Sequence, residues 1–316
     1  MKQKKIAVLL STFNGQQWLP QLLDSLSKQT IAFELIWRDD GSVDDSVALV
    51  RAFEFENLTE LKHSEESQNV GACASFGILM QAALSSSAEI FFFADQDDVW
   101  RPEKLERVAA TFARLDNQCA HLVHHDLRVV DHAGREMSAS LWRYMALIPA
   151  ATELRYYLTR NSVTGCSAAF NRALLEAAYP MPVAANMHDW WLALVASAIG
   201  QITVITDCLV DYRQHGANAL GAKSIVSGLN PFTNWREGWE RGNAEYRSLF
   251  PQAKALQAAL GDRLDDRDAE TLATFINLAR LPLLERVRTA HALGLRDRGS
   301  ILWIVAMIRV AFNGNS

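Results

Sequence analysis

Phe91-Phe92-Phe93-Ala94-Asp95-Gln96-Asp97-Asp98-Val99-Trp100 is the stretch on which the reading of this chain turns. An apolar run of the kind that forms a buried strand ends abruptly in three carboxylates within four positions. Like charges repel, and carboxylates are seldom buried unless paired or metal-bound. Open α/β sheets put their ligands at the carboxyl ends of their strands, where this cluster falls. Carboxylate and amide oxygens are hard ligands suited to Mg²⁺ or Mn²⁺, and Mg²⁺ is commonly shared with substrate phosphates. The plainer alternative is a solvated turn, with Asp98 capping a helix opened by Pro102.

Upstream, residues 6–10 read as a first buried strand ending in Ser11-Thr12-Phe13-Asn14-Gly15. Residues 18–28 carry Trp18, Leu19, Leu22, Leu23 and Leu26 at helical spacing. A second strand over 33–37 runs into Asp39-Asp40-Gly41-Ser42, and Asp44 and Asp45 precede a helix over 47–53. A short strand near 58–62, a polar loop to Asn69-Val70-Gly71 and a helix over 72–84 lead back to the opening stretch. This alternation with short links predicts a mostly parallel, doubly wound sheet, and its continuous apolar runs fit strands covered on both faces. Three strands then finish in Thr12/Asn14, Asp39/Asp40 and Asp95/Asp97, which should converge on one sheet edge.

Downstream of a helix over 105–115, residues 122–130 form a strand containing His124 and His125. Neighbouring strand residues face opposite sides, so these histidines are read as core rather than as a ligand pair. Residues 164–171 are small enough to imply a close approach by another group. Met187-His188-Asp189-Trp190-Trp191 opens an apolar helix with a carboxylate, either as a dipole partner or as a general base over a partly apolar pocket. A last core strand over 202–205 precedes Tyr212-Arg213-Gln214-His215-Gly216-Ala217-Asn218, read as a turn.

The 316 residues suffice for one large domain, or for a domain with an appendage. A net charge of −5 argues against a nucleic-acid partner. Four widely spaced cysteines lack zinc spacing and read as reduced thiols. Neither a secretory leader nor a run of the roughly 20 apolar residues needed to cross a bilayer is apparent, so a cytoplasmic location is expected. Neither GxGxxG nor GxxxxGK[ST] follows the first strand, so the phosphates of a bound nucleotide would need a metal to neutralise them.

Six short motifs, Ser11 to Gly15, Asp39 to Ser42, Asn69 to Gly71, Ala94 to Trp100, His188 to Trp191 and Tyr212 to Asn218, together resemble the inverting glycosyltransferases of family 2. The form of the fourth and sixth resembles a bacterial rhamnosyltransferase-like branch. The resemblance covers about residues 5–220. It implies a GT-A fold, with a catalytic domain over 1–223 (nucleotide half about 1–100, acceptor half about 101–223) and a helical region over 224–316. It also implies that Thr12, Asn14, Asp40, Asn69 and Gly71 hold a dTDP- or UDP-linked sugar. Asp97, Asp95 and His215 would hold Mg²⁺ or Mn²⁺, Asp95 also facing the ribose, with Arg213 near the diphosphate. Asp189 matches the catalytic base, and the acceptor would be a glycan or polyprenyl-linked sugar of a bacterial surface polysaccharide.

Two other functions fit parts of this pattern. A sugar nucleotidyltransferase shares the sheet but wants a basic glycine-rich loop after the first strand, and residues 11–15 lack one. A non-catalytic nucleotide or glycan binder would not require both Asp97 and Asp189. Residues 280–316 are rich in arginine and end in an apolar stretch over 301–312. They are read either as a peripheral membrane contact or as helices packed on the catalytic domain or a second subunit.

Overall fold

The computed structural model describes residues 4–61, 69–215 and 235–294. The chain begins β1 (Ile6–Thr12), α1 (Leu19–Ser27), β2 (Glu34–Asp39), α2 (Ser46–Ala52), β3 (Leu58–Glu60), α3 (Ala72–Ala83), β4 (Ile90–Asp95) and β5 (Val99–Trp100). It continues through α4 (Lys104–Phe112), β6 (Ala120–Val130), β7 (Glu136–Ser138), α5 (Leu141–Tyr144), α6 (Leu154–Tyr157), β8 (Ala168–Asn171), α7 (Arg172–Ala178), α8 (His188–Ile199) and β9 (Gly200–Arg213). Three C-terminal helices follow, α9 (Trp235–Leu260), α10 (Asp266–Asn277) and α11 (Leu283–Ala292).

The sheet order is β3-β2-β1-β4-β8-β6-β9-β5, with β7 added beside β6. The first four strands pair in parallel, as the apolar runs predict. β4 then pairs antiparallel with β8, and β8 antiparallel with β6, while β6 and β9 run parallel. This is the GT-A arrangement, a curled mixed α/β sheet followed by C-terminal helices.

Alternating side chains explain why so many strand residues are apolar. Ala7, Leu9, Phe91 and Phe93 enter the core on one face of the sheet, while Val8, Leu10, Phe92 and Ala94 enter the core on the other. Each fully buried Phe contributes about 1.5–3 kcal/mol by removal from water. The C-terminal helices extend the first of these cores, where Leu256, Leu272, Phe275 and Leu278 pack in the cluster that holds Trp191 and Phe93. The 223/224 boundary lies outside the described residues.

Two sequence expectations need correction. The segment through Arg213 is strand rather than turn, because β9 stays paired with β6 as far as Val130↔Arg213. Its end also pairs antiparallel with β5, Val99 against Asp211 and Trp100 against Val210. Asp98 caps no helix: it is 1% exposed, and its Oδ1 accepts the Arg213 backbone N–H at 3.1 Å. His124 and His125 of β6 are core residues, as expected; the ring of His124 meets the Pro149 carbonyl and that of His125 the Asp126 carbonyl.

Candidate active site

The chain leaves β1 towards β2 and β3, then returns to β4 on the other side of β1, which makes the gap between β1 and β4 the topological switch point. Ser11 stands opposite Asp95 there. Thr12 is the last residue of β1 and Asp95 the last of β4, so the polar strand ends do converge.

Asp39 and Asp40 shape the first side of the crevice. Asp39 accepts hydrogen bonds from Thr12 Oγ1 (2.8 Å) and from the Gly41 and Ser42 amides (3.1 and 2.7 Å). Thr12 is 1% exposed and its hydroxyl also accepts from Trp37 Nε1 at 3.0 Å, so its side chain shapes the strand end from within. Asp40 is paired with Arg38 at 2.6 Å and accepts the Val70 and Gly71 amides at 3.1 and 2.9 Å. It thereby clamps the loop bearing Asn69, whose own Oδ1 accepts from the Gly71 amide at 2.8 Å. Gly71 sits at φ 82° and leads into α3, a conformation glycine adopts without penalty. Asn14 lies across from them, exposed and at φ 47°, its Oδ1 accepting the Val43 amide at 2.9 Å.

Pairing of β5 with the end of β9 carries the acidic turn against the residues after Tyr212. His215 Nε2 lies 2.8 Å from Asp97 Oδ2, and its ring stacks on Trp18 with centroids 5.2 Å apart. Arg213 is 3% exposed and its guanidinium is spent on the protein: Nε donates to the Asp97 carbonyl (3.0 Å), Nη1 to His132 O (3.1 Å) and Nη2 to Gln21 Oε1 (2.6 Å). It lies over Trp18 at 4.7 Å and locks the acidic turn to β9 from behind. Gly216, Ala217 and Asn218 lie outside the described residues.

Sequence reasoning gave no separate role to Gln96. Its side chain makes paired hydrogen bonds with the Phe13 backbone, accepting the amide at 2.8 Å and donating to the carbonyl at 2.9 Å. The amide lies so close to Gly15 that a Cβ there would be 2.3 Å from Gln96 Oε1. The signal was the glycine at the end of the β1 turn.

Asp189 stands in the first turn of α8, 8% exposed. Its Oδ1 accepts from the Trp190 amide at 2.5 Å and from Asn161 Nδ2 at 3.2 Å. Burial nevertheless pushes the carboxyl up to about 7, against the pull of these donors and of the Gly165 amide. Asp95 is raised too, by burial and then by the charges of Asp97 and Asp189, while Lys104 and the Cys166 amide pull it back. Donor-side and base-side carboxylates thus share one electrostatic neighbourhood. Gly165 explains the small residues of this segment: a Cβ on it would lie 2.8 Å from His188 Nε2 and 3.7 Å from Asp189 Oδ2.

Beneath this surface lies a buried cluster. Asp95, Asp98 and Cys166 present ligand atoms within 4.8 Å of one another. Burial raises Asp98 and Cys166 well above their ordinary ranges. Lys104, fully buried, donates to Cys166 O at 2.7 Å, and burial pulls its ammonium down to about 7. Asp97 Oδ2 and His215 Nε2, paired at 2.8 Å on partly exposed side chains, offer a second oxygen and nitrogen that could bind a divalent cation.

The sequence model of "Glycosyl transferase family 2" matches residues 7–179, and the chain belongs to that family. It is 27% identical over 222 residues to an uncharacterized glycosyltransferase of Nostoc sp., covering 68% of this chain and 66% of that protein. It is 32% identical over 110 residues to the Staphylococcus aureus poly(ribitol-phosphate) beta-N-acetylglucosaminyltransferase TarS, covering 34% of this chain but only 18% of that one. Among solved structures, the fold is similar to S. aureus TarS 1-349 in complex with UDP-GlcNAc (TM-score 0.56, 16% identity, 97% of this chain and 81% of that chain). It is similar as well to the Pyrobaculum calidifontis mannosyltransferase PcManGT in complex with GDP-Man and Mn²⁺ (TM-score 0.54, 16% identity, 99% and 88%).

Proposed function

We propose that this glycosyltransferase moves a sugar from a nucleoside diphosphate to an acceptor hydroxyl in a single inverting displacement that depends on a divalent cation. The observation that carries this reading is the meeting of the acidic turn and a buried base at one segment: an Asp95 oxygen lies within 4.8 Å of Cys166 Sγ, and a Cβ on the adjacent Gly165 would lie 3.7 Å from Asp189 Oδ2. The nucleotide sugars in the titles of the TarS and PcManGT structures, and the Mn²⁺ of the latter, support the choice of donor and metal.

Asn14, Asp40, Asn69 and Gly71 line the nucleoside side, with Thr12 and Asp39 fixing the strand end from within. Asp97 and His215 would hold Mg²⁺ or Mn²⁺, with Asp95 beside them and Arg213 fixing the Asp97 backbone. The bound cation would supply Lewis-acid stabilisation of the departing diphosphate. Asp189, ionised, accepts the proton of the acceptor hydroxyl as its oxygen attacks the anomeric carbon. Asn161 and the Trp190 amide hold that carboxylate in place.

We read the donor as dTDP- or UDP-linked, rhamnose being the sugar the resemblance suggests, and the acceptor as a glycan or polyprenyl-linked sugar in surface polysaccharide synthesis. A peripheral membrane contact through 280–316 is part of this reading, supported by Leu283 and Leu284 standing 52% and 73% exposed at the start of α11. No described helix is long and apolar enough to cross a membrane. Flotation with liposomes, with and without residues 280–316, tests the contact, and equal binding by the truncated chain removes it.

A thermal-shift panel of UDP-, dTDP- and GDP-sugars with Mn²⁺ or Mg²⁺ tests the chemistry. Stabilisation follows RT ln(1 + [L]/Kd), so the true donor raises Tm only with the cation present. Equal shifts with and without metal for every donor reject the reading.

A further inference from the structure

The geometry points to Lys104 as a positioning residue for the transfer reaction, acting from beneath the site through the Gly165–Cys166 turn. This inference rests on the proposed reading of Asp189 as base. Lys104 opens α4, where the sequence Lys-Leu-Glu-Arg suggests an exposed first turn, yet its side chain is fully buried. Such burial is rare for lysine and calls for specific partners. Its ammonium donates to the Cys166 carbonyl at 2.7 Å and lies 3.1 Å from the centroid of the Trp100 ring.

The turn it grips faces both halves of the site. The Gly165 amide favours the charged form of Asp189, and the Cys166 amide favours that of Asp95. The turn thus borders one carboxylate from each side of the crevice: a Cβ on Gly165 would lie 3.7 Å from Asp189 Oδ2, and Cys166 Sγ lies within 4.8 Å of an Asp95 oxygen. Close packing leaves little slack on the far side, since His188 Nε2 would be only 2.8 Å from a Cβ on Gly165. The His188 ring is itself held against Phe76 and Phe93, with centroids 4.0 and 4.6 Å away. Lys104 pulls on the turn from below and His188 stops it from above.

Removing the ammonium should loosen the turn and let Asp189 drift from its line of attack, and small displacements of a base are costly in rate. Lys104→Met keeps the apolar stem and deletes the donor. In the full chain it should lower kcat by about 10- to 100-fold, the range for partners that orient a catalytic group. Donor KM should stay near the wild-type value, and hydrogen exchange at the Gly165 and Cys166 amides should quicken selectively. Lys104→Gln keeps a donor for the Cys166 carbonyl and should recover much of the rate and of the amide protection. It also keeps the inference open to test if the Met variant does not fold.

A folded Met variant with wild-type kcat overturns the inference. So does a Gln variant no better than Met, or exchange that quickens evenly along the chain while activity tracks the folded fraction. If the wild-type chain transfers no sugar from any donor, the proposed reaction fails, and the exchange readout still decides whether Lys104 holds the turn.

Discussion

His215 Nε2 and Asp97 Oδ2 lie 2.8 Å apart, although one ends the acidic turn after β4 and the other follows the last strand of the sheet. The pairing of β5 with β9 creates this meeting, and Arg213 secures it through the Asp97 carbonyl. Asp97→Ala and His215→Ala should each abolish the metal-dependent part of donor binding and cut affinity by about 10- to 100-fold. Calorimetric titration of the donor with and without Mn²⁺ checks this; a variant that keeps its metal response removes that residue from the cation site.

A base held near neutrality gives the reaction a pH signature. With the Asp189 carboxyl at about 7, kcat should climb about tenfold per pH unit on the acid side and flatten above neutrality. Asp189→Asn should keep donor binding and lose about 10²- to 10⁴-fold in kcat. Rates measured across the pH range on wild type and variant test both points, and substantial transfer by the Asn variant rules Asp189 out as base.

The same shift has a cost in stability, with a definite sign. Folding raises this carboxyl from 3.8 to about 7, so the folded chain holds the proton more tightly than the unfolded one. Stability from this group is full below its unfolded value and declines as pH rises through the folded one. Asp189→Asn should therefore melt higher than wild type near about pH 8 and lose that advantage below about pH 4. Melting curves at the two pH values decide; a variant less stable at both contradicts the assigned burial cost.

Two glycines separate strain from collision. Gly71→Ala meets nothing within 4 Å but must adopt φ 82° and ψ 158°, a region held almost only by glycine, so it should cost about 1–3 kcal/mol and weaken donor binding through the Asn69 loop. Gly165→Ala drives a methyl against His188 and towards Asp189, so it should lower kcat more than donor affinity. Steady-state kinetics of the two variants should split in opposite directions, and identical profiles would defeat the division of labour between the two turns.

Much of this was legible in the sequence because the signals are local. Apolar runs mark β1, β2 and β4, and their polar ends point to Asp40 and Asp95 at the crevice. The small residues at 164–171 announced a close approach, which the His188 ring makes. The rest depended on distant pairing. Arg213 looked free for a diphosphate because its partners, among them Gln21, are far away in the chain. Lys104 carries no local signal of its role, because its partner is the Cys166 carbonyl, 62 residues further along. Strand β8, inserted antiparallel between β4 and β6, carries that carbonyl's segment to the centre of the sheet, and no periodicity encodes such an insertion.

The fit between the Gln96 amide and the bare α-carbon of Gly15 has a practical side for anyone recombining members of this family. The acidic loop and the turn after the first strand behave as two halves of a single mould, hydrogen-bonded through Phe13. A chimera that imports one half alone will arrive with either a gap or a collision, so donor-specificity grafts should transplant both segments together.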